Sequence, residues 1–180
     1  MTFCFDNKLF QRGQTWQECL ASWQTHRLTF LDKIANAPQL TKTSDQLAKL
    51  PPYTRFAVYY SNYKLDTWLS LPIIGGSLAA FDHLEVRFHC AEYFFPVMGR
   101  TLGRKTPLLM LLDQQGTIRD QWGPRPASVS KALEQMQNRA ASDRDRWLVH
   151  LDPTRFAALL DEELNQFLEN CLQNVDNSVS

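Results

Sequence analysis

Apolar residues fall along this chain with two periods, and the switches between them mark out its elements. Trp16, Leu20, Trp23, Phe30, Leu31 and Ile34 recur at three- and four-residue intervals, which lays them along one face of a helix. Thr15-Trp16-Gln17-Glu18 reads as a capping box, with the hydroxyl accepting from the amide three positions on and the carboxylate reaching back. The pattern predicts one amphipathic helix from there to about Asn36, with Pro38 beyond it as a stop. Thr43 to Leu50 reads as a short helix ended by Pro51-Pro52, and Phe56-Ala57-Val58-Tyr59-Tyr60 is an apolar run of strand length. From about Lys64 to Phe81 the load of Trp68, Leu69, Leu71, Ile73, Ile74 and Leu78 suits a buried helix, which Pro72 should kink.

Further on, Leu84, Val86 and Phe88 alternate with Glu85, Arg87 and His89, the two-residue period of a half-buried strand. Glu92 to about Leu102 is helical but broken near Pro96, Gly99 and Gly103. Leu108-Leu109-Met110-Leu111-Leu112 is a continuous apolar run of the kind central strands carry, and Asp113-Gln114-Gln115-Gly116 turns it into Thr117 to Trp122 as a hairpin. After the break at Gly123-Pro124-Arg125-Pro126, Val129, Leu133 and Met136 mark a helix face, expected to fray into the charged Ser142-Asp143-Arg144-Asp145-Arg146. Asp152-Pro153 then starts a last helix, with the carboxylate as N-cap and proline at the first helical position. Its stripe is Phe156, Leu160, Leu164, Phe167 and Cys171.

Composition narrows the classes. At 180 residues and 44% hydrophobic content the chain can build one core, so a single domain is expected. Lys+Arg and Asp+Glu are both 19, and this zero net charge supplies no global field for nucleic acid or an anionic membrane, so neither is expected as a partner. No apolar run approaches bilayer length, and Met-Thr-Phe-Cys-Phe-Asp lacks a secretory pattern, which together predict a cytoplasmic location. Cys4, Cys19, Cys90 and Cys171 are scattered, so free thiols are expected. His26, His83, His89 and His150 combine with no carboxylate or cysteine in ligand spacing, and neither a metal nor a cofactor is implied. There is no phosphate loop; Gly75-Gly76 is expected to permit close packing.

The order β-α-β-α-β-β-α, with a proline opening the first strand of the hairpin, resembles thioredoxin. Lys105-Thr106-Pro107 through Gly116, followed by Trp122-Gly123-Pro124-Arg125-Pro126, is similar to a bacterial thioredoxin-like branch whose hairpin ends in Trp-Gly-Pro-Arg-Pro. The resemblance covers most of residues 15 to 130. It implies an α/β thioredoxin-like fold: a central mixed sheet of about four strands flanked by helices, with a helical extension at 15–50, a core at 54–139 and a C-terminal helix at 152–173.

In that family Trp-Cys-x-x-Cys follows the first core strand, at the start of a long proline-containing helix. Pro72 fixes the register, so Lys64 and Thr67 stand where the resemblance places the two cysteines. Dithiol exchange needs an attacking thiolate and a resolving thiol, and Lys64-Leu65-Asp66-Thr67 supplies neither. The resemblance further implies a cis Pro107, with Thr106 before it offering backbone groups to an extended peptide. The expected site is therefore Lys64, Thr67, Thr106 and Pro107, holding a peptide, a protein partner or a small anion. Arg104, Lys105 and Arg125 are the candidate anion contacts, and Asp66 would compete for Lys64. The alternative is a thiol-dependent oxidoreductase working through Cys90, whose neighbour His89 could lower its pKa, or through cysteines recruited from Cys4 or Cys171. Oligomeric state is left open.

Overall fold

The computed structural model describes residues 3–23, 27–103 and 105–176. Four strands, β1 (Arg55–Tyr60), β2 (Glu85–Cys90), β3 (Leu108–Leu112) and β4 (Ile118–Trp122), form one mixed sheet in the order β2-β1-β3-β4. β1 runs parallel to β2 and antiparallel to β3, and β3 is antiparallel to β4. The two inner strands are the two continuous apolar runs, because a strand covered on both faces has no solvent side on which to carry polar residues. Alternation still sorts their side chains. Phe56, Val58, Tyr60, Leu109 and Leu111 enter the larger core, and Ala57, Tyr59, Leu108, Met110 and Leu112 the smaller one on the opposite face.

Helices cover both faces. The larger core is closed by α2 (Trp16–Ser22), α3 (Arg27–Ala35), α4 (Thr41–Leu47), α5 (Leu65–Ala79), α8 (Ala127–Gln135), α9 (Ala141–Val149) and α10 (Pro153–Asp176). The smaller core is covered by Phe5 and Phe10, the latter on α1 (Asn7–Gln11), and by Phe94 and Met98. Phe94 ends α6 (Ala91–Phe94); a π-helical turn, Phe95–Gly99, follows and runs into α7 (Arg100–Leu102). α5 carries nine buried residues, Pro72 among them, as the packed centre of the larger core. This is a four-stranded mixed sheet flanked by helices, an α/β fold.

Three segments depart from the sequence expectation. The predicted helix from Thr15 begins with its capping box intact, but α2 ends at Ser22 because Trp23 turns extended at ψ 102°. Leaving the helix lets the Trp23 ring drop into the core, where it stacks on Phe30 at 3.7 Å between centroids. The charged segment at 142–146 does not fray but lies within α9, which inserts Leu148 into the larger core. Residues 3–14, left unassigned by periodicity, are ordered onto the sheet: Asp6 caps α1, Cys4 bridges Thr117, and Gln14 bridges Phe88.

Candidate functional site

At the C-terminal end of β1 the chain turns through Ser61-Asn62-Tyr63 into α5, and this corner is fastened from several sides. The Ser61 amide donates to Thr67 Oγ1 at 3.5 Å, and the Trp68 indole N–H to the Asn62 carbonyl at 2.9 Å. Glu92, at the start of α6, gathers three donors: the Ser61 hydroxyl on Oε1 at 2.6 Å, and on Oε2 the Cys90 thiol at 2.7 Å and the Asn62 amide at 3.4 Å. Partial burial pushes its carboxyl upward, but these hydrogen bonds from Cys90, Ser61 and Asn62 outweigh that and hold it below its usual range. Glu92 is an anchored carboxylate.

Lys64 is the N-cap residue of α5, with extended backbone and no side-chain cap on the helix. The first-turn amides, the positive end of the helix dipole, therefore begin one residue beyond it. Among the described residues no carboxylate lies within ion-pair reach of Lys64.

These groups line a cavity of about 360 Å³, bounded by Tyr59, Ser61, Lys64, Ala91, Glu92, Phe95, Gly103 and Thr106. Its size falls at the small end of ordinary ligand pockets. Phe95 reaches the wall because Gly99 is bare: a Cβ there would lie 2.2 Å from the Phe95 ring. The π-helical turn that makes this wall is a feature found often at functional positions.

Two residues of this wall carry buried, unpartnered hydroxyls. Among the described residues the Tyr59 hydroxyl and Thr106 Oγ1 have no hydrogen-bond partner, although their residues are only 0% and 4% exposed. A buried hydroxyl without a partner is costly, and native chains keep few of them. Burial, reinforced by the nearby Glu92 carboxylate, raises the Tyr59 pKa, so this phenol keeps its proton.

The expected site residues separate. Lys64 and Thr106 meet in the cavity. Thr67, fully buried, acts from behind by accepting from Ser61, and Pro107, joined to Thr106 by a cis peptide bond, does not line the cavity. Arg104 lies outside the described residues, and Lys105 is exposed away from the cavity wall. The Arg125 guanidinium pairs with Asp66 and does not line the cavity, and no ion pair joins Asp66 to Lys64. Burial pushes the Asp66 carboxyl up to about 6, with the Arg125 charge acting the other way.

Cys90 does not have His89 as a partner. His89 points to the opposite face, packed against Phe5 and Phe94, where burial drives its pKa down to about 3 and keeps it neutral. Cys90 itself is pushed up to about 12 by burial and by its hydrogen bond to the Glu92 carboxylate. Cys4, Cys19 and Cys171 are free as well.

Sequence reasoning missed Tyr59, Ser61, Glu92 and Phe95. Tyr59 carried a usable signal, because strand alternation sets it on the face opposite Tyr60. Glu92 carried little, since two of its three partners lie 31 and 30 residues upstream and only Cys90 is a neighbour in sequence.

No helix is long and apolar enough to cross a membrane, and no metal-binding cluster occurs, among the described residues. No protein-family model matches the chain, and no curated protein matches it. Among solved structures, a protein of unknown function from Pseudomonas aeruginosa is similar over 88% of this chain and 98% of its own, at 14% identity and a TM-score of 0.58. An HIV epitope scaffold is similar over 91% of this chain and 96% of its own, at 13% identity and a TM-score of 0.61. Both likenesses are of fold.

Proposed function

We propose that this chain is a thioredoxin-like binding protein without dithiol chemistry, taking a small ligand or a short extended peptide at the tip of α5. The observation that carries the reading is that Tyr59 and Thr106, which line one cavity with Lys64, keep buried hydroxyls without a partner among the described residues. Such groups are tolerated where a ligand completes them. The strand order β2-β1-β3-β4 and the long proline-containing helix after β1 support the thioredoxin-like part of the reading. The uncapped start of α5 adds partial positive charge beside Lys64. The Cys90 reading has the geometry against it, because a thiolate there would form in a buried site beside a carboxylate.

Two experiments test it. Calorimetric titration with small carboxylates, phosphate, amino acids and dipeptides should yield at least one binder, whose affinity Lys64→Met abolishes; binding by none of them sinks the proposal. A disulfide-reductase assay should be silent for the wild type and active for the Lys64→Cys, Thr67→Cys double variant. Wild-type activity would show that the chain exchanges disulfides by another route.

A further inference from the structure

The cavity holds two opposite charges that do not neutralise each other. Lys64 and Glu92 both line it, yet no ion pair joins them. Lys64 has three donors and, among the described residues, no ion pair within 4 Å. Glu92 spends one site of Oε1 on Ser61 and both sites of Oε2 on Cys90 and Asn62, which leaves one lone-pair site open on Oε1. A simple anion entering this space meets attraction from Lys64 and repulsion from Glu92, and a simple cation meets the reverse. Only a ligand with both signs gains at both ends.

Resting on the reading that the cavity binds a ligand, we propose that this ligand is a small zwitterion of the amino-acid type, its carboxylate on Lys64 and its ammonium on Glu92. The uncapped first turn of α5 assists at the carboxylate end. The Tyr59 and Thr106 hydroxyls, each able to donate and accept, complete the polar contacts. Ala91 and the half-exposed Phe95 ring offer an apolar surface to the ligand's side chain. The volume of about 360 Å³ accommodates a molecule of this size.

The test is calorimetry on the full chain with free leucine and phenylalanine, against acetate, butylamine and inorganic phosphate as single-charge probes. An amino acid should bind at least ten-fold tighter than any single-charge probe. Glu92→Gln should cost it ten-fold or more while acetate binds no worse, and Lys64→Met should abolish both. Should Glu92→Gln unfold the corner it anchors, Lys64→Met remains decisive, because Lys64 is exposed and the substitution keeps its alkyl stem. If acetate or phosphate binds the wild type as tightly as the amino acids, the zwitterion assignment is overturned while the cavity remains a ligand site. If no probe, dipeptides included, binds at all, both fall.

Discussion

Removing the two unpartnered hydroxyls should stabilise the free protein while weakening its binding. Thr106→Val and Tyr59→Phe each delete one buried hydroxyl and keep the shape of the side chain almost unchanged. Among the described residues Thr106 Oγ1 and the Tyr59 hydroxyl find no hydrogen-bond partner, whereas water satisfies both after unfolding. An unsatisfied buried polar group costs about 1–3 kcal/mol. Each substitution is therefore expected to raise the free energy of unfolding by about 1 kcal/mol or more. In a chain of 180 residues that corresponds to roughly 2–4 °C in Tm per kcal/mol. Because both residues line one cavity, the double variant should depart from simple additivity. Equilibrium urea unfolding followed by tryptophan fluorescence measures the effect, with an unchanged slope as the check that only stability moved. The same variants should bind any ligand of the wild type more weakly, the mark of groups kept for a function at a cost in stability. A loss of 1 kcal/mol or more in either variant would show that its hydroxyl has a partner within the chain, and the argument for a ligand site would lose its main support.

Three further outcomes follow from other parts of the fold. A Cβ at Gly75 would sit 2.4 Å from the Trp16 ring, so Gly75→Ala should destabilise by up to about 2 kcal/mol once its helix-propensity gain of ~1 kcal/mol is subtracted. Gly76→Ala, with nothing within 4 Å, should stabilise by about 0.5–1 kcal/mol, and urea unfolding of the pair gives the contrast. The Asp66 pKa is raised in the folded state, so this group's contribution is most favourable below pH 4 and is lost as pH rises toward 6, by on the order of 2–3 kcal/mol. Asp66→Asn should flatten stability over that window, and Arg125→Gln, which removes the compensating cation, should extend the loss to higher pH. Of the four thiols only exposed Cys4 should react rapidly with an aromatic disulfide reagent at pH 8, because Cys19, Cys90 and Cys171 are buried with raised pKa values; fast reaction of Cys90 would reverse the account of its environment.

What the sequence determined by itself was local. The capping box at Thr15, the N-cap at Asp152, the two continuous apolar runs and the alternation of β2 are each written within a few neighbouring residues, and the elements stand close to where those signals put them. The position of Lys64 at the tip of a buried helix belongs with them, because an apolar load beginning just after a turn is itself a local pattern.

Only the tertiary structure decided which charges and hydroxyls meet. Arg125 was grouped with the free cations until the fold brought it 59 residues back to Asp66. Glu92 became part of a site because β2 lies parallel to β1, so that both strands end at the same corner and the residues after them converge. Trp23 left its helix for a stacking partner on the next one, which periodicity could not register, since a helical face and a deeper pocket favour the same apolar residue. A pattern along the chain reports which side chains avoid water. Long-range pairing alone determines which polar groups are left without a partner, and two of those groups belong to Tyr59 and Thr106 of the cavity wall.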